Sequence, residues 1–163
     1  MAEDPASTLF IPFRFRVALQ QDGALLCGAA FSEVTGLEAT MAPKKIVEGG
    51  RNWGELMRAG PVTFATVVLK RGVTEIHDAY AWFDAMGRLA DTGTRLDATI
   101  EVMDALTTPN RQVLLTWKLT RCMPVKFKGP DLSATSSQVA IEELHLAHEG
   151  LVLERGVRKA GAA

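Results

Sequence analysis

Hydrophobic and polar residues alternate with a period of two in several separate stretches of the chain. The clearest stretch begins at Phe10 and has apolar positions at Phe13, Phe15, Val17 and Leu19. Another covers residues 95–103 and has apolar positions at Leu96, Ala98, Ile100 and Val102. This period is typical of strands with one buried and one solvated face. With further strand candidates at residues 24–34, 62–69 and 113–127, the pattern predicts six or seven strands.

One stretch has the period of a helix. Thr74 is a candidate N-cap, and Glu75 and Asp78 are acidic residues of the first turn, where the helix dipole favours them. The apolar stripe consists of Ile76, Ala79, Tyr80, Phe83, Gly87 and Ala90. We therefore expect a single flanking α-helix over about residues 75–90 in a chain that is otherwise mainly β.

A long connection, residues 37–61, separates two of the predicted strands. It contains two prolines and four glycines, and it also carries large apolar side chains: Met41, Ile46, Trp53, Leu56 and Met57. Compact domains rarely carry an idle loop of this length. An apolar loop usually packs on its own domain or on a neighbour, so these five residues are candidates for an interface between subunits.

Local signals conflict in residues 136–151. Helix signals include the capping-box spacing of Thr135 and Gln138 and a terminal Gly150. Strand signals place Val139 and Ile141 on one face and Leu144 and Leu146 on the other. A β-bulge at residues 142–143 would account for that change of face. The residues alone leave both interpretations open.

Composition narrows the class of protein. The 163 residues are enough for one domain, and 47% hydrophobic residues are enough for a core. The net charge is -1, and no basic cluster of the kind that binds nucleic acid stands out. No apolar run approaches the ~20 residues of a membrane-spanning helix. We expect a flexible leader at residues 1–9, a domain at residues 10–151, a polar tail at residues 152–163 and, with no signal peptide recognised, synthesis in the cytoplasm.

No constellation of residues predicts catalysis, and we expect no enzyme activity, cofactor or metal. His145 and His148 would need further metal ligands, and on a strand they would point to opposite faces. Glu142 and Glu143 lack the cleft that general acid–base pairs need. The glycines of the long connection lack the lysine of a phosphate loop. The two cysteines, Cys27 and Cys122, are expected to be reduced, buried thiols.

The order of motifs resembles the tail tube proteins of contractile phages, and most closely the inner-tube proteins of extracellular phage-tail-like contractile injection systems. The most specific motifs are FSEVTGLE (31–38), TVVLKRG (66–72) and VAIEELHLAHEGL (139–151). They occur in order with FRFRVAL (13–19), EGGRN (48–52) and TWKLTRCMPVKFKGPDLSA (116–134). The resemblance covers about residues 13–151.

This resemblance implies a β-sandwich or barrel similar to the haemolysin-coregulated tube protein of type VI secretion. It implies homo-hexameric rings that stack into a hollow tube, driven through a target envelope by a contracting sheath. Expected partners are the sheath, baseplate or spike and tube-cap proteins, with luminal effector protein or DNA as cargo. Residues 136–151 then form a long kinked strand with Val139, Ile141, Leu144 and Leu146 in the core.

Two questions stay open at the level of sequence. The lumen could be lined by Asp97, Thr99 and Glu101 or by Arg14 and Arg16, which lie on different predicted strands. The alternative function is a stand-alone β-barrel that binds a small ligand. It requires an apolar interior pocket and a long connection folded over the mouth of the barrel.

Overall fold

In the computed structural model the chain is built mainly from antiparallel strands. The structure describes residues 14–27, 31–75, 77–88, 94–103, 113–135 and 139–156. The elements in chain order are β1 (Phe15–Gln21), β2 (Ala24–Cys27), β3 (Glu33–Thr35), β4 (Ala39–Met41), β5 (Lys44–Ile46), β6 (Leu56–Arg58), β7 (Val62–Phe64), β8 (Val67–Gly72), α1 (Asp78–Arg88), β9 (Leu96–Met103), β10 (Val113–Lys128), β11 (Ile141–Ala147) and β12 (Gly150–Arg155). The predicted mainly β fold with a flanking helix is confirmed.

Strand β10 is long enough to belong to two sheets. Its first part pairs with β9 and β12, and these strands continue to β1 and β2. We call this group sheet I, in the order β2-β1-β9-β10-β12. The second part of β10 pairs with β11, which continues to β8 and β3. We call that group sheet II, in the order β10-β11-β8-β3.

The passage of β10 between the sheets occurs near Arg121. The register with β9 shifts between Leu119 and Cys122, and Arg121 has a φ of 52°, which is unfavourable for a residue with a side chain. The backbone N–H of Arg121 donates to Asp97 Oδ1 at 3.0 Å. This bond satisfies a donor that the extra residue of a bulge would leave unpaired.

One hydrophobic core joins the two sheets and the helix. Its buried residues come from β1, β8, β9, β10, β11 and α1, and include Leu19, Leu69, Ile100, Leu119 and Leu146. The alternation predicted for residues 95–103 is confirmed, because Leu96, Ala98, Ile100 and Val102 are all buried.

Helix α1 begins later in the chain than predicted. It begins at Asp78, whose Oδ1 accepts from the backbone N–H of Ala79, so the predicted cap at Thr74 was wrong. Ala79 and Trp82 are its buried residues, while Tyr80 of the predicted stripe is 46% exposed and packs edge-on against Phe127. Ile76 and Ala90 lie outside the described residues.

The disputed C-terminal segment forms strands β11 and β12, and together they run antiparallel along most of β10. The interruption lies at His148 and Glu149, where the backbone N–H of Glu149 donates to the carbonyl of Thr120. The predicted bulge at residues 142–143 was wrong, because β11 pairs with β8 without a register shift from Ile141 to Leu146.

The unbroken pleat of β11 changes which residues are buried. Leu144 and Leu146 lie in the core, and Glu142 shares their face. Ile141 therefore lies on the opposite face and is 45% exposed, while Val139 precedes the strand and is 77% exposed. The prediction that Val139 and Ile141 are core residues was wrong. The expected polar tail is also shorter, because β12 extends to Arg155.

Two further boundaries differ from the sequence-based expectation. The predicted strand over residues 24–34 is divided into β2, which pairs with β1 in sheet I, and β3, which pairs with β8 in sheet II. Residues 62–69 are divided between β7 and β8. The predicted leader and the start of the first strand at Phe10 lie outside the described residues.

Candidate assembly surfaces

The long connection of residues 37–61 is a β-ribbon. Strand β4 pairs with β7, and β5 pairs with β6 inside them. We call residues 39–64 the arm and residues 47–55 its tip. Both pairs are separate from the main sheets, and most of the side chains in the four short strands are exposed. A two-stranded ribbon alone is marginally stable in water. Contact with a partner that covers the arm would therefore stabilise it.

The arm carries its apolar side chains into solvent. Trp53 is 91% exposed and Val47 is 87% exposed. Met41, Ile46 and Met57 are also exposed, and Leu56 is half-buried. The structure thus places all five predicted interface residues on this one ribbon. Sequence reasoning missed Val47 and Val62, which are exposed on the same arm.

Charges on the arm are only partly compensated. Lys45 pairs with Glu55 at 2.7 Å, and Arg51 lies 3.8 Å from Glu48. Lys44 and Arg58 are direct cross-strand partners, and neither makes an ion pair within the described residues. Like charges placed opposite each other destabilise a strand pair, so this position favours a partner that brings negative charge.

Sheet I presents a polar face built from cross-strand rows. In one row Arg16, Glu101, Thr116 and Glu154 are neighbours on successive strands, and in the next row Ala18, Thr99, Lys118 and Val152 are neighbours. Arg16 reaches Glu101 at 2.5 Å, and Lys118 reaches Glu154 at 2.8 Å. The two predicted sets of lumen candidates are therefore not alternatives, because Arg16 and Glu101 share one face and neutralise each other.

Both ends of sheet I are open edges in the described part of the chain. Strand β2 pairs only with β1, and β12 pairs only with β10. Leu25 and Leu26 are exposed at one edge, and Val152 and Leu153 are exposed at the other. An open edge with apolar side chains is a template for pairing with another chain. The sequence alone does not identify which strands form these edges, because pairing partners follow from topology.

A charged network connects the helix to sheet II. Arg71 is 2% exposed; its Nε donates to Glu142, and its guanidinium reaches Asp78 Oδ1 at 2.7 Å. Burial acts to lower the pKa of Arg71, but the hydrogen bonds to Asp78 and Glu142 outweigh it and raise that pKa. Arg71 also lies over the ring of Phe31. This network positions the start of α1 and pairs the buried Arg71 with two carboxylates.

A groove of about 530 Å³ opens on the outer face of sheet II. Strand residues Lys70, Ile141 and Glu143 line it, together with Leu132 and Val139 from the segments that precede β11. Leu132 is 88% exposed. The groove therefore combines exposed apolar side chains with charged ones.

The candidate catalytic and metal-binding residues do not converge on one site. His145 lies 3.3 Å from Glu143, whereas His148 contacts the carbonyl of Gly150 and the ring of Phe64. Among the described residues no three His, Cys, Asp or Glu side chains gather as a metal site would require. Cys122 is a free, buried thiol, and Cys27 has no described side chain. Within the described ranges, no helix has the length and apolar character needed to cross a membrane.

Comparison with known proteins gives a consistent picture. The model of the T4-like virus tail tube protein gp19 family matches residues 11–152. A chain from the baseplate of the anti-feeding prophage is similar, with 28% identity and a TM-score of 0.76 over 91% of this chain and 97% of that chain. No curated protein matches.

Two further structures share the fold at lower identity. A chain from the sheath–tube complex of an extracellular contractile injection system, PVC, in its extended state has 20% identity and a TM-score of 0.75 over 92% of this chain and 94% of that chain. Hcp1 from Flavobacterium johnsoniae has 13% identity and a TM-score of 0.51 over 86% of this chain and 96% of that chain.

Proposed function

Because the chain belongs to the family of T4-like virus tail tube proteins, we propose that it acts as a tube subunit whose copies close into hexameric rings and stack. The observation that carries the proposal is the arm, which extends apolar side chains such as Trp53 and Val47 into solvent. Each would contribute on the order of 1.5–3 kcal/mol if a neighbouring copy buried it fully. Rings that stack would provide that cover.

The open edges of sheet I support closure of the ring. A cyclic arrangement places the β12 edge of one copy beside the β2 edge of the next, so that each copy covers its neighbour. The exposed Leu26 and Leu153 at these edges would then be shielded. The number six is taken from the resemblance, and particle images of the rings would count the subunits directly.

The polar face of sheet I is our candidate for the channel wall. In a ring joined at the sheet edges this face would be continuous from copy to copy. Its pairs Arg16–Glu101 and Lys118–Glu154 bring opposite charges together, so the wall would present no strongly cationic surface to retain phosphates. Either DNA or an effector protein is compatible with such a wall as cargo.

Partners of the assembled tube follow from its relatives. The similar chains come from a baseplate, a tube-terminating cap and a sheath–tube complex. We assign to this chain the same classes of partner: a contractile sheath, a baseplate or spike, and a cap. In this role the chain acts by assembly and not by catalysis, and it is made in the cytoplasm before incorporation into the particle.

The alternative, a stand-alone barrel that binds a small ligand, fits the described residues less well. It requires an apolar interior pocket and a connection folded over the mouth of the barrel. The groove instead lies on the outer face and has charged walls, and the arm pairs only with itself.

Negative-stain electron microscopy of the purified protein tests the proposal. Rings or hollow tubes are expected at high concentration, and light scattering should show the corresponding mass. A protein that stays a monomer at every concentration would contradict the tube-subunit assignment and favour the barrel.

A further inference from the structure

Two surfaces of the subunit are complementary and lie on different parts of the fold. One is the tip of the arm, which belongs to neither main sheet. The other is the groove on the outer face of sheet II. Both expose large apolar side chains, which soluble proteins normally cluster at binding sites. Neither surface is occupied by another part of the described chain.

The apolar parts of the two surfaces match in kind and size. Trp53 of the arm is the most exposed large hydrophobic residue described, and the groove offers Leu132, Val139 and Ile141. A space of about 530 Å³ is within the range of pockets that enclose small ligands, and it is therefore sufficient for an aromatic side chain. Tryptophan is also among the residues that most often dominate the energy of an interface.

The charges of the two surfaces are complementary. The groove has a row of alternating charges across its strands, in which Lys70 pairs with Glu33 at 3.1 Å. Lys128 Nζ lies 3.5 Å from Asp131 Oδ2 and 4.0 Å from Glu143 Oε1, so one lysine pairs with two carboxylates. The groove therefore has an excess of acid.

On the arm, by contrast, basic residues predominate. Lys44 and Arg58 face each other and lack acidic partners within the described residues. An acidic rim would relieve that repulsion between like charges.

We infer that the groove of sheet II is the receptor for the arm of a second copy, with Trp53 seated between Leu132, Val139 and Ile141. Lys44 and Arg58 then approach the acidic residues at the rim. This inference depends on the proposed function as a tube subunit. It identifies the site at which one ring contacts the next. A contact between two different patches of the same chain can repeat without closing, and such repetition is the property that a growing stack needs.

Photocrosslinking from the arm tests this assignment in the full chain. A benzophenone amino acid replaces Trp53, and tubes are assembled from a mixture of isotopically heavy and light copies. Crosslinked peptides that join position 53 of one copy to residues 131–143 of another are expected. Crosslinks that form in intact tubes but map to another surface would overturn the assignment.

Substitution of the groove provides a second, independent test. Leu132→Asp with Val139→Asp should leave rings intact, because both side chains are largely exposed in the subunit. The critical concentration for stacking should rise about 30-fold, since loss of a hot spot of ~2 kcal/mol corresponds to that factor. Val125→Asp is the matched control, because Val125 is exposed on β10 and does not line the groove. It should stack like the unmodified protein.

The outcomes separate the two proposals. If the groove variant stacks as readily as the control, the arm docks elsewhere and the receptor assignment is wrong, while the tube assignment stands. If the groove variant forms rings that do not stack, the receptor assignment is supported. If the unmodified protein forms neither rings nor tubes, both proposals fail together.

Discussion

Arg71 and Glu142 place a charged pair inside a core that is otherwise apolar. They are opposite each other on β8 and β11, and Asp78 adds a second carboxylate from the start of α1. A buried charge is tolerated when it is paired, and removing one partner leaves the other uncompensated. The network therefore makes the position of the helix depend on two strands at once.

Glu142→Gln is predicted to lower the free energy of unfolding by about 1.5–3 kcal/mol, because Arg71 would lose one of its two charged hydrogen-bond partners while keeping Asp78. Glu143→Gln is the matched control on the exposed face of the same strand, and it should change stability by less than about 1 kcal/mol. Urea denaturation measures both effects, at a protein concentration below that at which the subunits assemble. Equal effects of the two substitutions would show that the buried network does not stabilise the subunit.

Titration of Cys122 is expected to lower the stability of the fold at alkaline pH. Burial raises the pKa of its thiol from an ordinary value of 9.0 to about 12. A group with a raised folded pKa contributes stability that is present below pH 9 and is lost as pH rises from about 9 to 12. Since one pKa unit corresponds to 1.36 kcal/mol, the loss attributable to this thiol by pH 10 is about 1.4 kcal/mol.

Comparison with Cys122→Ala isolates this effect from other alkaline titrations. The difference in stability between the two proteins should shrink by that amount between pH 8 and pH 10, as followed by denaturant unfolding. The native thiol should also react with thiol reagents much more slowly than the thiol of the unfolded chain. A difference that stays constant with pH would show that Cys122 titrates normally in the fold.

At the scale of elements, the arm and the strand pair β11–β12 differ in how they are stabilised. Strands β11 and β12 run along β10 and bury Leu144 and Leu146 in the core. Among the described residues the strands of the arm pair only with each other, and most of the arm's large apolar side chains are exposed. The subunit should therefore tolerate changes in the arm that abolish assembly.

Replacing residues 47–55 with Asn-Gly should separate folding from assembly. This dipeptide forms the tight turn that joins adjacent antiparallel strands, and Ile46 and Leu56 are already paired. The melting temperature of the subunit is expected to stay within a few degrees of the original, since the removed residues are exposed. Tubes should disappear from electron micrographs, and normal tubes would contradict a stacking role for the tip.

At the scale of the whole molecule, the resemblance in the order of motifs is confirmed by membership in the tail tube family. The structure adds the positions of the surfaces that expose apolar side chains or unpaired strand edges. In the part of the chain that the structure describes, sheet I has two open edges, the strands of the arm are separate from the main sheets, and sheet II carries a groove. A molecule with several such surfaces is better stabilised among copies of itself than alone.

Leu26→Lys with Leu153→Lys is predicted to stop ring closure, because charge on the edge of a sheet opposes pairing with another edge. The variant should remain a folded monomer by light scattering and circular dichroism, since both side chains are exposed. Tyr80→Lys, on the exposed side of α1, is the control and should still form rings. Rings from the edge variant would show that the subunits join through another surface.

Period-two patterns predicted the described part of β1 and located β9 to within a few residues, and the strand predicted over residues 113–127 corresponds to β10. They failed at residues 139–146, where local alternation placed Val139 and Ile141 in the core and required a bulge. The buried Glu142 broke the apolar pattern, and its partner Arg71 is distant in sequence and adjacent only through the pairing of β8 with β11. An ion pair of this kind leaves no local signal.

The sequence by itself determined the mainly β class, the single helix, the family resemblance and the set of apolar residues on the arm, because periodicity and motif order are local properties. Only the tertiary structure decided that the long connection is a ribbon, that Arg16 and Glu101 share one face, and that β2 and β12 form the two edges of sheet I among the described strands. These features depend on which strands become neighbours. Pairing between strands that are distant in sequence is determined by the interactions of the whole chain and not by local patterns.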